Sequence, residues 1–154
     1  MSRRSFALDT ASIQRILPHS GPAILIDRVI EFSAGERILA TKNMTISDPG
    51  FAGHFRGQPI YPAALLIQCM VQSCTVLAYV TEQFDPAAEA VSLVGLNKTK
   101  FSRSVAPGDV LEIEAEMTQR RSNVWRFRVK LFVSDREIAE SGVVLSIHDR
   151  DDTL

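Results

Sequence analysis

"AALLIQCMVQSCTVLAYV", residues 63–80, runs without a charged side chain and is just long enough to tempt a membrane-spanning reading. Gln68, Gln72, Thr75 and Tyr79 interrupt it, and offsets of four, three and four place them on one helical stripe. The segment therefore reads as a core helix with one polar edge. Pro62 suits its first turn, where a missing N–H costs nothing. A lone helix this apolar has to be covered nearly all round, and a curved antiparallel sheet can do that.

The flanking sequence supplies such a sheet. "DTASIQRILPHSGP" (9–22) reads as a short amphipathic helix ending near Pro18, with Ala11, Ile16 and Leu17 as burial candidates. "AILIDRVIEF" (23–32) and "RILATKNMTI" (37–46) read as strands joined by a turn in which Gly35 can take a positive φ. From Ser47 to Tyr61 the density of Gly and Pro predicts an ordered loop. After the long helix come four strands, beginning with "VSLVGLNKTKF" (91–101). "VLEIEAEMTQ" (110–119) and "VWRFRVKLFV" (124–133) alternate with a period of two and form a hairpin. Its polar face sets Glu112, Glu114 and Glu116 against Arg126, Arg128 and Lys130. "IAESGVVLSI" (138–147) is the last strand. The expected architecture is α+β, one domain over residues 1–154.

The chain has 154 residues, and a net charge of −1 gives no reason to expect nucleic acid or an anionic membrane as partner. "SRRSF" (2–6) imitates a twin-arginine export signal, but Asp9, Gln14 and Arg15 interrupt what would be its apolar region. The expected location is the cytoplasm. Cys69 and Cys74 lie five residues apart, roughly 140° around a helix, so they should not bridge one another. They read as buried free thiols, with no partner at metal-ligand spacing.

The most chemical stretch is "GHFRGQPIYPAALLIQCM" (53–70), with His54 in the loop and Gln68 on the helix. Together with "ILPHSGPAILIDRV" (16–29) and "LNKTKFSRSVAPGDVLEIE" (96–114), it resembles the β-hydroxyacyl-acyl-carrier-protein dehydratases of the FabZ type, which have the hotdog fold. The likeness runs in order through nearly the whole chain. It departs from the family pattern at Arg56 (a proline in the family), Ala63 (a glycine) and Gln68 (the catalytic glutamate).

The resemblance implies dehydration of 3-hydroxyacyl thioesters to 2-enoyl thioesters, in fatty acid or polyketide-like synthesis. No cofactor is implied, because the substrate rides on the phosphopantetheine of an acyl carrier protein. It also implies roles. His54 would be the base and Gln68 would occupy the acid's place; the backbone amide of Ala63 would hold the oxyanion. Phe55, Arg56, Tyr61 and Gln72 would line the substrate tunnel. Lys98, Lys100 and Arg103 would either meet the acidic carrier protein or form a solvated strand end. His19 is read as structural, and His148 as near a frayed end. A neutral amide cannot deliver a proton, so two other readings stay open. The chain could be an incomplete subunit paired with a related hotdog chain bearing the acid, or an enoyl isomerase working with His54 alone. A thioesterase is disfavoured, because no carboxylate stands at this helix position to activate water. Family sites are composite across a dimer, so a homodimer or larger oligomer is expected.

Overall fold

A computed structural model describes residues 7–152; the Arg3–Arg4 pair of the export-like motif lies outside the described residues. Helix α1 (Thr10–Ile16) is capped by Asp9, whose carboxylate accepts from the Ser12 N–H at 2.9 Å. It buries Ile13, Ile16 and then Leu17, whereas Ala11 is exposed. The expected burial of Ala11 is thus corrected to Ile13, two residues on. Strands β1 (Arg28–Ser33) and β2 (Arg37–Asn43) form a hairpin around Gly35 at φ +77°. β1 is shorter than expected, since residues 21–23 form a 3-10 turn and the chain only becomes a strand at Arg28.

Helix α2 (Ala63–Glu82) follows Pro62 and ends at Gln83 in the left-handed region, φ 52°. The rest is sheet: β3 (Glu89–Phe101), β4 (Val110–Arg121), β5 (Val124–Val133) and β6 (Arg136–Asp149). All pairings are antiparallel, in the spatial order β1-β2-β4-β5-β6-β3. This sheet curves across α2, which packs on β2, β3, β4, β5 and β6. By length and composition α2 could cross a membrane, yet most of its apolar stretch is buried inside the fold. Cys69, Met70, Cys74, Val76, Leu77 and Ala78 are fully buried against the inward rows of the sheet.

The hairpin register follows the alternation. Ile113 faces Leu131 and Ala115 faces Val129 on the core side, while Glu114 faces Lys130 and Glu116 faces Arg128 on the outer side. Opposite charges placed directly across a strand pair contribute about 0.2–1 kcal/mol each. His148 lies within β6, where its Nε2 meets the Ser92 hydroxyl at 2.9 Å, so it is not part of a frayed end.

Gln72 is corrected from tunnel wall to strut. It is fully buried, its amide oxygen accepts from the Leu25 N–H at 2.9 Å, and its amide nitrogen donates to the Ala23 carbonyl at 2.7 Å. The segment entering β1 has no strand partner there, and the side chain of Gln72 satisfies its backbone instead. Gln72→Leu leaves a buried N–H without a partner. Urea denaturation should show a loss of about 1–3 kcal/mol in unfolding free energy.

Candidate active site

The loop before α2 is tightly bonded to itself. Gln58 N–H donates to Phe55 O at 3.1 Å and Phe55 N–H to Gln58 O at 2.9 Å, closing a turn around Gly57. Outside that turn, Ile60 N–H donates to His54 O at 2.9 Å, and His54 Nδ1 meets the Ile60 carbonyl at 2.9 Å. A carbonyl oxygen only accepts, so Nδ1 carries the proton of the neutral ring. Nε2 is left with a lone pair, and the loop backbone fixes that tautomer.

His54 borders a cavity of about 430 Å³. Its walls include Ala63 and Leu66 at the start of α2, Phe101 at the end of β3, and Ser102, Arg103 and Ser104 just after it. Ala63 is the first helical residue and is not among those with positive φ, so a Cβ is accommodated where the family pattern has glycine. Its N–H precedes the first bonds of the helix, which Leu65 and Leu66 make to the Pro62 carbonyl, and so lies at the positive end of the helix dipole.

Gln68 is not in this cavity. It borders a second one of about 460 Å³, with Ala64, Leu65, His19, Asp48 and Gly50 on its walls. At 100° per residue, Ala64, Leu65 and Gln68 project from the flank of α2 opposite Ala63 and Leu66. The body of the helix therefore separates His54 and Gln68 of one chain. In this second cavity Gln68 Nε2 lies 3.0 Å from His19 Nε2, a contact the sequence reading missed when it took His19 as structural.

Between the cavities lies a buried polar knot. Lys42 pairs with Asp48 at 2.7 Å, both side chains largely buried, and Asp48 also accepts from the Gly50 N–H at 2.8 Å. The Lys42 ammonium sits 5.6 Å above the Tyr61 ring, which packs edge-on to Phe51. Burial pushes the Tyr61 phenol well above its usual pKa, and its hydroxyl has no partner. Gly50 makes this approach possible, since a Cβ there would lie 2.4 Å from the Tyr61 ring and 2.9 Å from Leu65.

Other expected site residues fall differently. Tyr61 does border the His54 cavity. Phe55 and Arg56 are exposed and do not border that cavity within one chain, and Phe55 stacks on the His54 ring at 3.9 Å. Arg103 stands at the cavity, whereas Lys98 borders a separate concavity on the outer sheet face with Arg126, Arg128 and Glu140. Lys98, Lys100 and Arg103 are all exposed. Among the described residues, no cluster of three or more His, Cys, Asp or Glu is placed to hold a metal ion.

Residues 17–142 match the FabA-like domain family. The 3-hydroxyacyl-[acyl-carrier-protein] dehydratase FabZ of Myxococcus xanthus is 35% identical over 94% of both chains. That of Campylobacter jejuni strain 81-176 is 38% identical over 93% of this chain and 99% of its own. The chain belongs to the FabZ-type dehydratase family. Among solved structures, the dehydratase heterocomplex ApeI:P from Xenorhabdus doucetiae has a TM-score of 0.78 at 17% identity, covering 90% of this chain and 92% of its own. The PaaI protein of E. coli has a TM-score of 0.61 at 14% identity, covering 77% and 80%. The fold is accordingly the α+β hotdog.

In this FabZ-type chain the thiols beneath the site are inert. Burial pushes Cys69 up to about 12 and Cys74 well above its usual value, and both are free. A thiol that ionises at higher pH in the folded state stabilises the fold below the unfolded pKa of about 8.5, and that contribution is lost as pH rises towards the folded value. Native protein at pH 8 should resist iodoacetamide at both cysteines and react only on unfolding. Stability should fall as pH rises from 8 to 11, with Cys69→Ala and Cys74→Ala flattening the fall.

Proposed function

We propose that this chain is a 3-hydroxyacyl-acyl-carrier-protein dehydratase whose active sites are each assembled from two chains. His54 carries the reading: its Nδ1 is committed to the Ile60 carbonyl, so Nε2 is free to accept a proton at the cavity. In the reaction His54 Nε2 takes the C2 proton of the substrate. Charge building on the thioester oxygen is held by first-turn amides at Ala63, aided by the helix dipole. The C3 hydroxyl then departs as water once it receives a proton. Proton transfers and the loss of water involve no net oxidation or reduction, so the reading calls on no redox cofactor; phosphopantetheine belongs to the carrier.

Separation of His54 and Gln68 by the body of α2 supports a shared site, in which Gln68 of one chain faces His54 of another. Edge strand β3 supports the pairing, with Leu93 and Val94 exposed on it. Two such edges joined across a two-fold axis cover each other's open backbone groups. Arg103 at the cavity, with Lys100 nearby, suits an acidic carrier protein, and the two free buried thiols fit a reducing cytoplasm.

A second reading is favoured by Gln68 itself, whose amide can hold the hydroxyl but has no proton to give. A related chain bearing a carboxylic acid would complete the site, and the Xenorhabdus neighbour is itself a dehydratase heterocomplex.

Incubation with a carrier-bound 3-hydroxyacyl thioester, followed by mass spectrometry, should show loss of water. His54→Ala should lower the rate by about 10²–10⁴-fold with the fold intact. Gln68→Glu should raise the rate of the protein alone by about 10–10³-fold, and have little effect once an acid-bearing partner is present. Full activity in His54→Ala would overturn the assignment of the base. Sedimentation at micromolar concentration should give a dimer or larger.

A further inference from the structure

His19 and Gln68 meet at 3.0 Å on the wall of the second cavity, and the other ring nitrogen, Nδ1, is buried without a partner. With Nδ1 protonated, the ring would keep a buried N–H with no acceptor, a rare arrangement in folded proteins. The proton of the neutral ring therefore sits on Nε2, which donates to Gln68. That requires the amide oxygen to face the ring, which a half-turn of the amide achieves. The amide N–H bonds then face away from the ring, towards the cavity that Gln68 lines. A ring held neutral in this way is no acid, and neither is the amide. What Gln68 offers the cavity is a hydrogen-bond donor without charge.

The one carboxylate on this wall is already engaged. Asp48 has one oxygen on the Lys42 ammonium and the other on the Gly50 N–H. Tyr61 keeps its proton, because burial raises its pKa. Two chains together thus bring one base, His54 Nε2, and two neutral donors, the Ala63 amide and the Gln68 amide. Such a set suits a reaction in which a proton leaves carbon and returns to it while negative charge waits on two oxygens. A thioester with a carbonyl at C3 is that kind of substrate. Loss of its C2 proton spreads the electron pair over both carbonyl groups, and each oxygen gains from a preorganised N–H.

We propose that this chain enolises 3-oxoacyl thioesters, exchanging the C2 proton with solvent, and that Gln68 is the donor to the C3 oxygen. The inference rests on the shared-site reading, in which Gln68 of one chain faces His54 of another. His54 Nε2 takes the C2 proton, and the electron pair of that C–H bond passes into the enolate. Its charge is shared between the thioester oxygen at the Ala63 amide and the C3 oxygen at the Gln68 N–H. Return of a proton from His54 to C2 reverses each bond change. No group leaves, and nothing is oxidised or reduced. When the His54 proton exchanges with water before it returns, C2 acquires a solvent hydrogen. His19 is a positioning residue here: it holds the amide oxygen and so aims the N–H at the substrate. An ionised carboxylate in place of Gln68 would set a negative charge against that same oxygen.

The test places the full chain with a carrier-bound 3-oxoacyl thioester in deuterium oxide, and mass spectrometry of the acyl group reads deuterium at C2. Dehydration of a carrier-bound 3-hydroxyacyl thioester is measured in parallel. Exchange should exceed the protein-free rate. Gln68→Met keeps the length of the side chain but loses the donor, and should slow the protein's exchange by about 10²–10³-fold. Circular dichroism melts confirm folding, and Gln68→Leu serves as a second variant should Gln68→Met fail to fold. His19→Asn should slow exchange in the wild type yet cost less than about twofold more in Gln68→Met, because the two residues act as one unit. Equal losses in both backgrounds overturn the positioning role and make His19 structural. Dehydration without exchange above the protein-free rate overturns the proposal and leaves the dehydratase reading standing. Exchange indifferent to Gln68→Met overturns it as well. Exchange that needs Gln68, with no dehydration, upholds the proposal and overturns the dehydratase reading for this chain alone. Absence of both reactions overturns both.

Discussion

The burial of α2 constrains everything else. Ten of its side chains between Leu66 and Ala78 are buried, and a helix so apolar in water is stable only with the sheet around it. The sheet supplies this cover because β4 and β5 alternate faithfully, with Leu111, Ile113 and Ala115 opposite Val133, Leu131 and Val129. A slip of one residue in that hairpin would bury the glutamate row and expose the core row. The charges across the outer face penalise the same slip, so both faces select one register.

A helix fixed this firmly becomes a reference frame for chemistry at its N-terminus. Tyr61 N–H donates to the Val105 carbonyl at 2.8 Å, and Leu65 and Leu66 close the first turn onto Pro62. The His54 loop is anchored on this frame through Ile60, and the Gly50 turn lies against the opposite flank. One rigid element thus holds two cavities apart by its own diameter. That is why a site joining residues from both needs a second chain.

The fold was legible in the sequence because its signals are local: the period of two in 110–133, the uncharged run 63–80, and glycine and proline marking the loop. The start of β1 was less legible. "AILIDRVIEF" is apolar enough to be a strand throughout, but its first residues are bound by a side chain, Gln72, rather than by a neighbouring strand. No local pattern announces a contact across 47 residues. The polar stripe on α2 was identified correctly as a stripe, yet its members serve different ends. Thr75 bonds back to the Val71 carbonyl, Gln72 braces the chain before β1, and Gln68 reaches His19. His54 stood out by its loop setting. His19 did not, since its meaning depends on a partner 49 residues away.

The amide at position 68 changes the electrostatics of its cavity as well as its proton inventory. A carboxylate there would add a second negative charge to a wall that already carries Asp48, and would pair directly with the His19 ring. Charge pairs removed from water draw strongly on both partners and hold them in fixed protonation states. An amide leaves the ring facing a neutral neighbour, to which it can donate or from which it can accept as the amide turns. Lys42 keeps Asp48 as its ion-pair partner at 2.7 Å. The substitution that removes an acid thus leaves His19 paired to a neutral group, at a wall whose carboxylate, Asp48, is bonded to Lys42 and to the Gly50 N–H.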